Sequence, residues 1–323
     1  VLLVDARKGV LEQTRRHLAV AALMRVPHVV IAVNKIDLVA HSEEVFRTLA
    51  ADVRAIATEL GIPDAHAVPV SALVGDNVVD RSPNTPWYDG PSLLELLETL
   101  PADTDPVHES FRMPVQVVIR PQGAARSPEH VEYRGYAGQL ASGSVRVGDE
   151  VVVHPSGLRS TVAGIDLGEQ SLDVAVAPQS VTIRLTDDVD VSRGDLLAAA
   201  TDPVPLRQEV TALACWLGDE PLRPGARLLV KHGSRTVPAM VRSIDGRLDL
   251  DALRLAPAGE LALNDIGRVT VRFAAPLPVE EYSTSRRGGA FLLIDPDDGR
   301  TLAAAMADAL APGEHPTSDP TSP

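Results

Sequence analysis

The distribution of apolar and polar residues differs between the first hundred residues and the rest of the chain. Before Pro101, short apolar runs alternate with longer stretches in which apolar residues recur every three or four positions. The runs predict strands at Val1–Asp5, Val29–Val33 and Ala65–Ala72, and the periodic stretches predict helices at Glu12–Met24, Glu43–Leu60 and Leu93–Leu100. Strands that alternate with helices are typical of βαβ units in a parallel sheet.

The predicted helices carry start signals and apolar faces. Ser42 is the expected N-cap of the second helix, and Ser92 with Glu95 is the expected capping box of the third. The residues expected to share a buried face are Leu11, Leu18, Ala22 and Val26 in the first helix and Val45, Leu49, Val53, Ile56 and Leu60 in the second.

After Phe111 the pattern changes to short alternating runs separated by Gly, Asp and Pro. Predicted strands include Val115–Arg120, Tyr136–Ala141, Glu150–His154, Ser180–Leu185 and Val269–Phe273. This spacing favours β-barrels or sandwiches. A polar linker before Phe111 and the stretch Thr201–Pro205 look like boundaries. We therefore expect an α/β domain at 1–104, β-domains at 110–202 and 206–308, and a disordered tail at 309–323.

Composition excludes several classes of protein. The net charge of −14 and the aromatic content of 3% argue against a nucleic-acid partner, which needs a basic face and stacking platforms. No apolar run approaches the ~20 residues that span a bilayer. The single cysteine, Cys215, is expected to be a buried small hydrophobe and fits a cytoplasmic location. Because the chain opens on a strand without Met, we expect it to be the carboxyl-terminal part of a longer protein.

The most informative motif is Asn34-Lys35-Ile36-Asp37, which directly follows the apolar run Val29–Val33. Ligands of open α/β sheets bind at the carboxyl ends of the strands. The Asp37 carboxylate is suited to accept from N1 and N2 of guanine together, a charge-assisted pair that adenine does not offer. Lys35 is suited to cover the base with its alkyl stem, and Asn34 to brace neighbouring loops. The alternative is an ordinary turn in which Asn and Asp make local bonds.

A second candidate, Ser71-Ala72-Leu73, follows the next predicted strand. A backbone N–H in this tripeptide is placed to donate to O6 of guanine, so that the side chain of Ala72 matters mainly for the space it leaves. An ordinary strand end is the alternative.

Together these motifs resemble the fourth and fifth guanine-nucleotide motifs of the translation-factor GTPases. The segments Val4–Gly9, Gln13–His17, Gly75–Val78 and Pro86–Pro91 are similar to that superfamily as well. Further along, Arg134-Gly135-Tyr136-Ala137-Gly138 and Ser192–Leu197 resemble the large, GTP-hydrolysing subunits of bacterial ATP sulfurylase (sulfate adenylyltransferase). We interpret the glycines of these segments as structural.

This resemblance implies the carboxyl-terminal part of a P-loop-type GTPase domain followed by two translation-factor-type barrels. It implies GTP as ligand, with Mg²⁺ in the full-length protein. It also implies a small adenylyl-transferring subunit as partner, with GTP hydrolysis driving formation of adenylyl sulfate and pyrophosphate from ATP and sulfate. Neither a nucleic acid nor a membrane is expected as partner.

The sequence also departs from the superfamily. It has no Gly-x-x-x-x-Gly-Lys-[Ser/Thr] phosphate loop, no switch threonine for Mg²⁺ and no Asp-x-x-Gly motif. Guanine-binding residues are therefore assigned (Asn34, Lys35, Asp37, Ser71, Ala72, Leu73), whereas no catalytic residue and no metal ligand is assigned.

Other interpretations stay open. A translation elongation or release factor has the same order of domains and is a second hypothesis. A non-catalytic protein-binding module built from barrels is a third hypothesis. The basic, glycine-rich segment Ser283–Gly289 is suited to meet an anion or a partner subunit, although a mobile surface loop is the simpler interpretation.

Overall fold

The structure is a computed structural model that describes residues 1–101, 108–121, 131–250 and 252–308. These residues form two compact units. The first contains residues 1–101 with 248–250 and 252–256, and the second contains residues 108–121, 131–247 and 257–308. The predicted tail at 309–323 and most of the predicted linker lie outside the described residues.

The first unit is built on a three-stranded parallel sheet with the order β1-β2-β3, as the alternating pattern predicted. Its strands are β1 (Leu2–Asp5), β2 (His28–Asn34) and β3 (Asp64–Pro69). Its helices are α1 (Glu12–Leu23), a 3-10 helix (Ile36–Val39), α2 (Glu43–Glu59) and α3 (Leu93–Thr99). The central strand β2 is buried from Val29 to Val33, because it has a strand on either side and the helices α2 and α3 pack on the sheet.

The register of this sheet brings the functional motifs to one edge. Asp5 at the end of β1 lies opposite Asn34 at the end of β2, and Val33 lies opposite Pro69 near the end of β3. Parallel strands that end at the same level place the residues that follow them side by side.

Two of the predicted helix faces are wrong in part. Leu11 is the N-cap of α1, lies outside the helix in an extended conformation and is 48% exposed, while Thr14, Leu18, Ala19 and Leu23 are buried. On α2 the buried stripe includes Phe46 rather than the half-buried Val45. The buried face of α1 is therefore shifted from the predicted one, whereas the other four predicted residues of the second helix, Leu49, Val53, Ile56 and Leu60, are buried as expected.

The predicted caps form, with one difference. The Ser42 hydroxyl accepts from the Val45 amide at 3.4 Å, and the Ser92 hydroxyl accepts from the Glu95 amide at 3.2 Å. In the part of the chain that the structure describes, Glu95 makes no return bond to Ser92, so the capping box is half formed. The Ser92 hydroxyl instead donates to the Val79 carbonyl at 2.6 Å.

The second unit begins with a ring of strands. Its strands are β4 (Arg112–Pro114), β5 (Val117–Ile119), β6 (Gly135–Gln139), β7 (Ser144–Arg146), β8 (Glu150–His154), β9 (Leu158–Leu167), β10 (Gln170–Leu172), β11 (Val174–Val176), β12 (Ser180–Leu185) and β13 (Leu196–Ala199). The main sheet has the order β4-β13-β8-β9-β12-β6-β5. Because β4 and β5 are consecutive stretches separated by Val115 and Gln116, the sheet closes on itself as a barrel.

A second ring follows. It contains β14 (Leu206–Trp216), β15 (Arg227–His232), β16 (Arg235–Asp249), β18 (Ile266–Pro278), α4 (Arg286–Gly289), β19 (Ala290–Ile294) and β20 (Thr301–Ala307). The short strand β17 (Arg254–Ala256), which follows β16 in the chain, belongs to the residues of the first unit. The order of the second ring is β15-β19-β20-β14-β18-β16, and β15 also pairs with β16, which closes the barrel. Each barrel has its own core, centred on residues such as Tyr136 and Ile165 in the first and Phe273 and Leu293 in the second.

The glycines of the Arg134–Gly138 segment are structural, as the sequence indicated. A β-carbon at Gly138 would collide with the backbone carbonyl of Pro114, and one at Gly135 would collide with the Thr182 side chain. Strand β6 packs tightly against its neighbours at both positions, which only glycine permits.

Candidate functional site

The turn after β2 is set by the backbone at Lys35. Lys35 has φ 64° and ψ 36°, a left-handed conformation that few residues other than glycine adopt. The turn leads into the 3-10 helix that carries Asp37. Ile36 is fully buried and its amide donates to the Val70 carbonyl at 3.2 Å, so the helix is fixed to the chain that follows β3.

The side chain of Asn34 joins the two sequence motifs. Its Oδ1 accepts from the Lys35 amide at 2.7 Å and from the Ala72 amide at 3.0 Å. One carbonyl oxygen therefore holds together two loops that are 38 residues apart in sequence. This is the bracing role for which Asn34 is suited on sequence grounds.

Lys35 reaches back across the edge of the sheet to β1. Its Nζ lies 2.8 Å from Asp5 Oδ2, and Arg7 binds both oxygens of the same carboxylate, with Nη2 at 2.9 Å and Nε at 3.1 Å. Hydrogen bonds from Arg7 and then from Lys35 hold the pKa of Asp5 well below its usual range. The Lys35 stem is thus held across the ends of β1 and β2 rather than left free.

Hydrogen-bonding groups beside this brace are available to a ligand. Within the described residues the half-buried Asp37 carboxylate has no hydrogen-bond partner. Of the three amides in Ser71-Ala72-Leu73, those of Ser71 and Ala72 are bonded inside the protein, and that of Leu73 is left without a partner among the described residues. The site therefore offers one acceptor group and one backbone donor.

The loop after β3 is held by a buried carboxylate, Asp76. It accepts from Ser82 Oγ at 2.5 Å and from Asn84 Nδ2 at 3.0 Å, and it pairs with His41 Nε2 at 2.9 Å. Burial alone would raise the pKa of Asp76, but the hydrogen bonds from Ser82, His41 and Asn84 outweigh it and lower the pKa. Since His41 follows the 3-10 helix and Asp76 lies in the loop after β3, this pair connects the two motif loops.

Asn77 and a group of aromatic residues complete this support. Asn77 Nδ2 donates to the Pro69 carbonyl at 2.8 Å and to Thr85 Oγ1 at 2.9 Å. Trp87 donates from Nε1 to the His41 carbonyl at 3.0 Å, and its ring lies 5.4 Å from that of Phe46 on α2. The base-side loops are consequently fixed to a helix of the core.

The structure brings the two predicted motif loops together and adds supporting residues that the sequence did not indicate. Asn34, Lys35, Asp37, Ser71, Ala72 and Leu73 lie in two loops that meet at the Asn34–Ala72 bond. The roles of Asp5 and Asp76 were not predicted. The position of Asp5 at the carboxyl end of the neighbouring strand was the one available signal, because β-register cannot be seen in sequence alone.

The residues present do not fit a magnesium site or a triphosphate cradle. The sequence lacks the phosphate loop, and in the ranges that the structure describes no group of three or more His, Cys, Asp or Glu side chains is placed to hold a metal.

Two family models match the chain. The elongation factor Tu GTP binding domain matches residues 1–104, and the GTP-eEF1A C-terminal domain-like family matches residues 209–308. These matches cover the parallel sheet and the second barrel.

The proteins similar to this chain include enzymes named for sulfate adenylyltransferase and its fused forms. The bifunctional enzyme CysN/CysC of Mycobacterium tuberculosis is 44% identical over 308 residues, which are 95% of this chain and 50% of the relative. Sulfate adenylyltransferase subunit 1 of Cellvibrio japonicus is 42% identical over 306 residues, which are 95% of this chain and 63% of the relative. The chain thus spans about half to two thirds of the length of these relatives.

A solved structure has the same fold. The structure of Sup35 in complex with GMPPNP aligns with a TM-score of 0.55 and 25% identity, covering 96% of this chain and 77% of that chain.

Among the helices of the described residues, none combines the length and apolar character required to cross a membrane.

Proposed function

We propose that this chain reads the guanine base of GTP in a sulfate-activating enzyme. The reason is that the chain belongs to the translation-factor GTPases and is homologous to sulfate adenylyltransferase subunit 1. In this proposal the Asp37 carboxylate accepts from N1 and N2, Lys35 covers the base face, and the Leu73 amide donates to O6. Asn34, with Ser71 and Ala72 behind it, keeps these groups in place.

The observation that carries the proposal is the bond from the Ala72 amide to Asn34 Oδ1. It brings the two loops into one site while the Asp37 carboxylate keeps its acceptors unused among the described residues. An acceptor carboxylate beside a backbone donor matches the pattern of guanine, with N1 and N2 as donors and O6 as acceptor. Adenine, which lacks the N1–H, would leave Asp37 unpaired.

The wider proposal concerns the whole enzyme. The full-length protein would couple GTP hydrolysis to the formation of adenylyl sulfate and pyrophosphate from ATP and sulfate, with a small adenylyl-transferring subunit as its partner. Mg²⁺ and the phosphates of GTP would be held by residues outside this chain. A cytoplasmic location and domains at 1–104, 110–202 and 206–308 are part of the same proposal.

The base-reading role is tested by changing Asp37 to Asn. An amide cannot accept from both donors of guanine, and its NH₂ suits xanthine, which has a carbonyl where guanine has its 2-amine. We expect Asp37→Asn to weaken guanosine by at least about tenfold, ~1.4 kcal/mol, and to favour xanthosine in relative terms. Protein-observed NMR titration of the 323-residue chain with the two nucleosides measures both affinities.

The matched control is Asp52→Asn, on the exposed side of α2, which should leave both titrations unchanged. An unchanged guanosine preference in Asp37→Asn would reject Asp37 as the base reader. Without a phosphate site the chain should bind GTP more weakly than about micromolar and should not hydrolyse it. Sub-micromolar GTP affinity would contradict that expectation.

A translation elongation or release factor is the second candidate, favoured by the family matches and by the Sup35 fold. Size-exclusion chromatography of the chain with a purified small adenylyltransferase subunit, and sedimentation with ribosomes, separate the two. Co-elution with the small subunit supports the first candidate, and co-sedimentation with ribosomes supports the second. Binding to neither leaves a protein-binding module with another partner.

A further inference from the structure

A cleft between the two barrels of the second unit is not used by the proposed nucleotide site. It encloses a cavity of about 440 Å³, within the range of small-molecule sites. Its floor is apolar and is formed by Pro114, Val117, Ala141, Leu196 and Pro278. Polar and charged side chains from both barrels surround this floor.

The innermost cation of the cleft is already neutralised. Arg112, at the start of β4, is buried, and its guanidinium binds Glu280 Oε1 from Nε at 3.1 Å and from Nη2 at 3.0 Å. Nη2 also binds Asp202 at 2.9 Å. The ion pair of Arg112 with Glu280 connects the two barrels. Because the Arg112 guanidinium already binds two carboxylates, it is not available to bind a doubly charged ligand.

Further cations around the cleft are not neutralised. Arg193, Lys231 and Arg287 line it, are exposed, and form no ion pair with any described carboxylate. Glu280, the one carboxylate in the lining, is engaged by Arg112. The cleft is therefore positive in a chain whose net charge is −14.

Two of these cations stand on backbone that is fixed. His232 Nε2 lies 2.8 Å from the Gly288 carbonyl, and because a carbonyl only accepts, Nε2 is the protonated nitrogen. That bond links the residue after Lys231 to the residue after Arg287. Arg193 is held in its turn by donating from Nη1 to the Gln116 carbonyl at 2.7 Å. Positioned cations over an apolar floor are the features of a pre-formed organic-anion site.

We propose that this cleft binds a small organic anion that carries a phosphate or sulfate group, with Lys231, Arg287 and Arg193 around the oxyanion and the apolar floor under the organic part. The basic segment Ser283–Gly289 thereby acquires a role as one wall of the site. The proposal does not depend on guanine reading, because all of these residues lie in the second unit.

The test is an NMR titration of the labelled 323-residue chain with AMP, inorganic phosphate and inorganic sulfate at low ionic strength. AMP is chosen because it joins an organic group to a phosphate, and the positions of the shifted amides tell whether it binds in the cleft or near Asp37. We expect shifts at Lys231 and Gly288, affinities that fall as salt is added, and AMP binding tighter than either inorganic ion. Similar affinities for phosphate and sulfate would indicate that the cleft accepts either a phosphate ester or a sulfate ester. A marked difference between the two affinities would show which of these groups the natural ligand carries.

The matched variants are Lys231→Gln with Arg287→Gln, and a control pair, Arg47→Gln with Arg159→Gln, that removes equal charge from other exposed positions. The cleft pair should weaken AMP by about tenfold and the control pair by less than about twofold. Circular dichroism melts establish that all variants fold. No binding of any probe, or equal binding of AMP by the two double variants, would overturn the proposal.

Discussion

Asp76 is the residue whose chemistry most directly determines the rigidity of the base-side loops. Its carboxylate is 6% exposed and is bound by Ser82, His41 and Asn84. Its pKa in the folded protein is below the ordinary value of 3.8, whereas the unfolded chain has the ordinary value. The folded state is therefore stabilised above about pH 4, and this contribution is lost as the pH falls through the lowered pKa.

We expect Asp76→Asn to lower the free energy of unfolding by about 2 kcal/mol at pH 6, because three charge-assisted contacts are weakened. The difference from the native chain should shrink as the pH falls below 3.8 and through the lowered pKa of Asp76, because the carboxylate itself is then protonated. Urea unfolding across this range measures it, with Asp52→Asn as control. A difference that does not change with pH would contradict the stabilising role of the charged form.

At the scale of elements, the two serine N-caps do different work. Among the described residues, the Ser42 hydroxyl makes only the cap bond, which it accepts from the Val45 amide at 3.4 Å. Ser92 is 2% exposed, and its hydroxyl also donates to the Val79 carbonyl at 2.6 Å. The second bond ties α3 to the loop that follows the base-side motif.

Removing the two hydroxyls should accordingly cost different amounts. Ser42→Ala should lower stability by about 1 kcal/mol, as for an ordinary cap, and Ser92→Ala by about 2–3 kcal/mol, because a buried carbonyl also loses its donor. Thermal and urea unfolding compare them, and Ser42→Gly, which should cost only a few tenths of a kcal/mol, is the reference. Equal losses for the two alanine variants would show that the Val79 bond adds nothing.

The elements also show how far sequence reasoning reaches. Periodicity and caps predicted the order of strands and helices, and the strands Glu150–His154 and Ser180–Leu185 were predicted to the residue. The buried face of α1 was wrong in part, since a 3.6-residue period constrains spacing better than the direction of contact, whereas four of the five residues predicted for α2 are buried. In the site, the motif residues were found from their order after strands. Asp5 and the ligands of Asp76 depend on long-range register and loop packing, which leave no local signal.

At the scale of the whole molecule, the ion pair of Arg112 with Glu280 is the main polar contact between the barrels. The side chains of these residues are 6% and 13% exposed. Arg112→Met should lower the free energy of unfolding by about 3 kcal/mol, because it leaves Glu280 charged, buried and without its partner. Arg112→Met combined with Glu280→Leu should recover much of the loss, and a urea double-mutant cycle measures the coupling.

The matched control for this cycle is Arg223 with Glu260, a surface pair at 2.8 Å whose side chains are 63% and 50% exposed. Arg223→Met should cost less than about 1 kcal/mol. A loss at Arg112 no larger than that at Arg223 would show that burial adds nothing to the inter-barrel pair.

The position of Arg112 has a consequence for how the protein comes apart. It lies on β4, where the first ring of strands closes, and the Val115 carbonyl just after β4 accepts from Ser234 Oγ of the second ring at 2.8 Å. Opening the seam of the first ring would withdraw the partners of Glu280 and Ser234 at the same time. We therefore expect the two rings to unfold as a single cooperative unit, with one opening free energy shared by their slowest-exchanging amides.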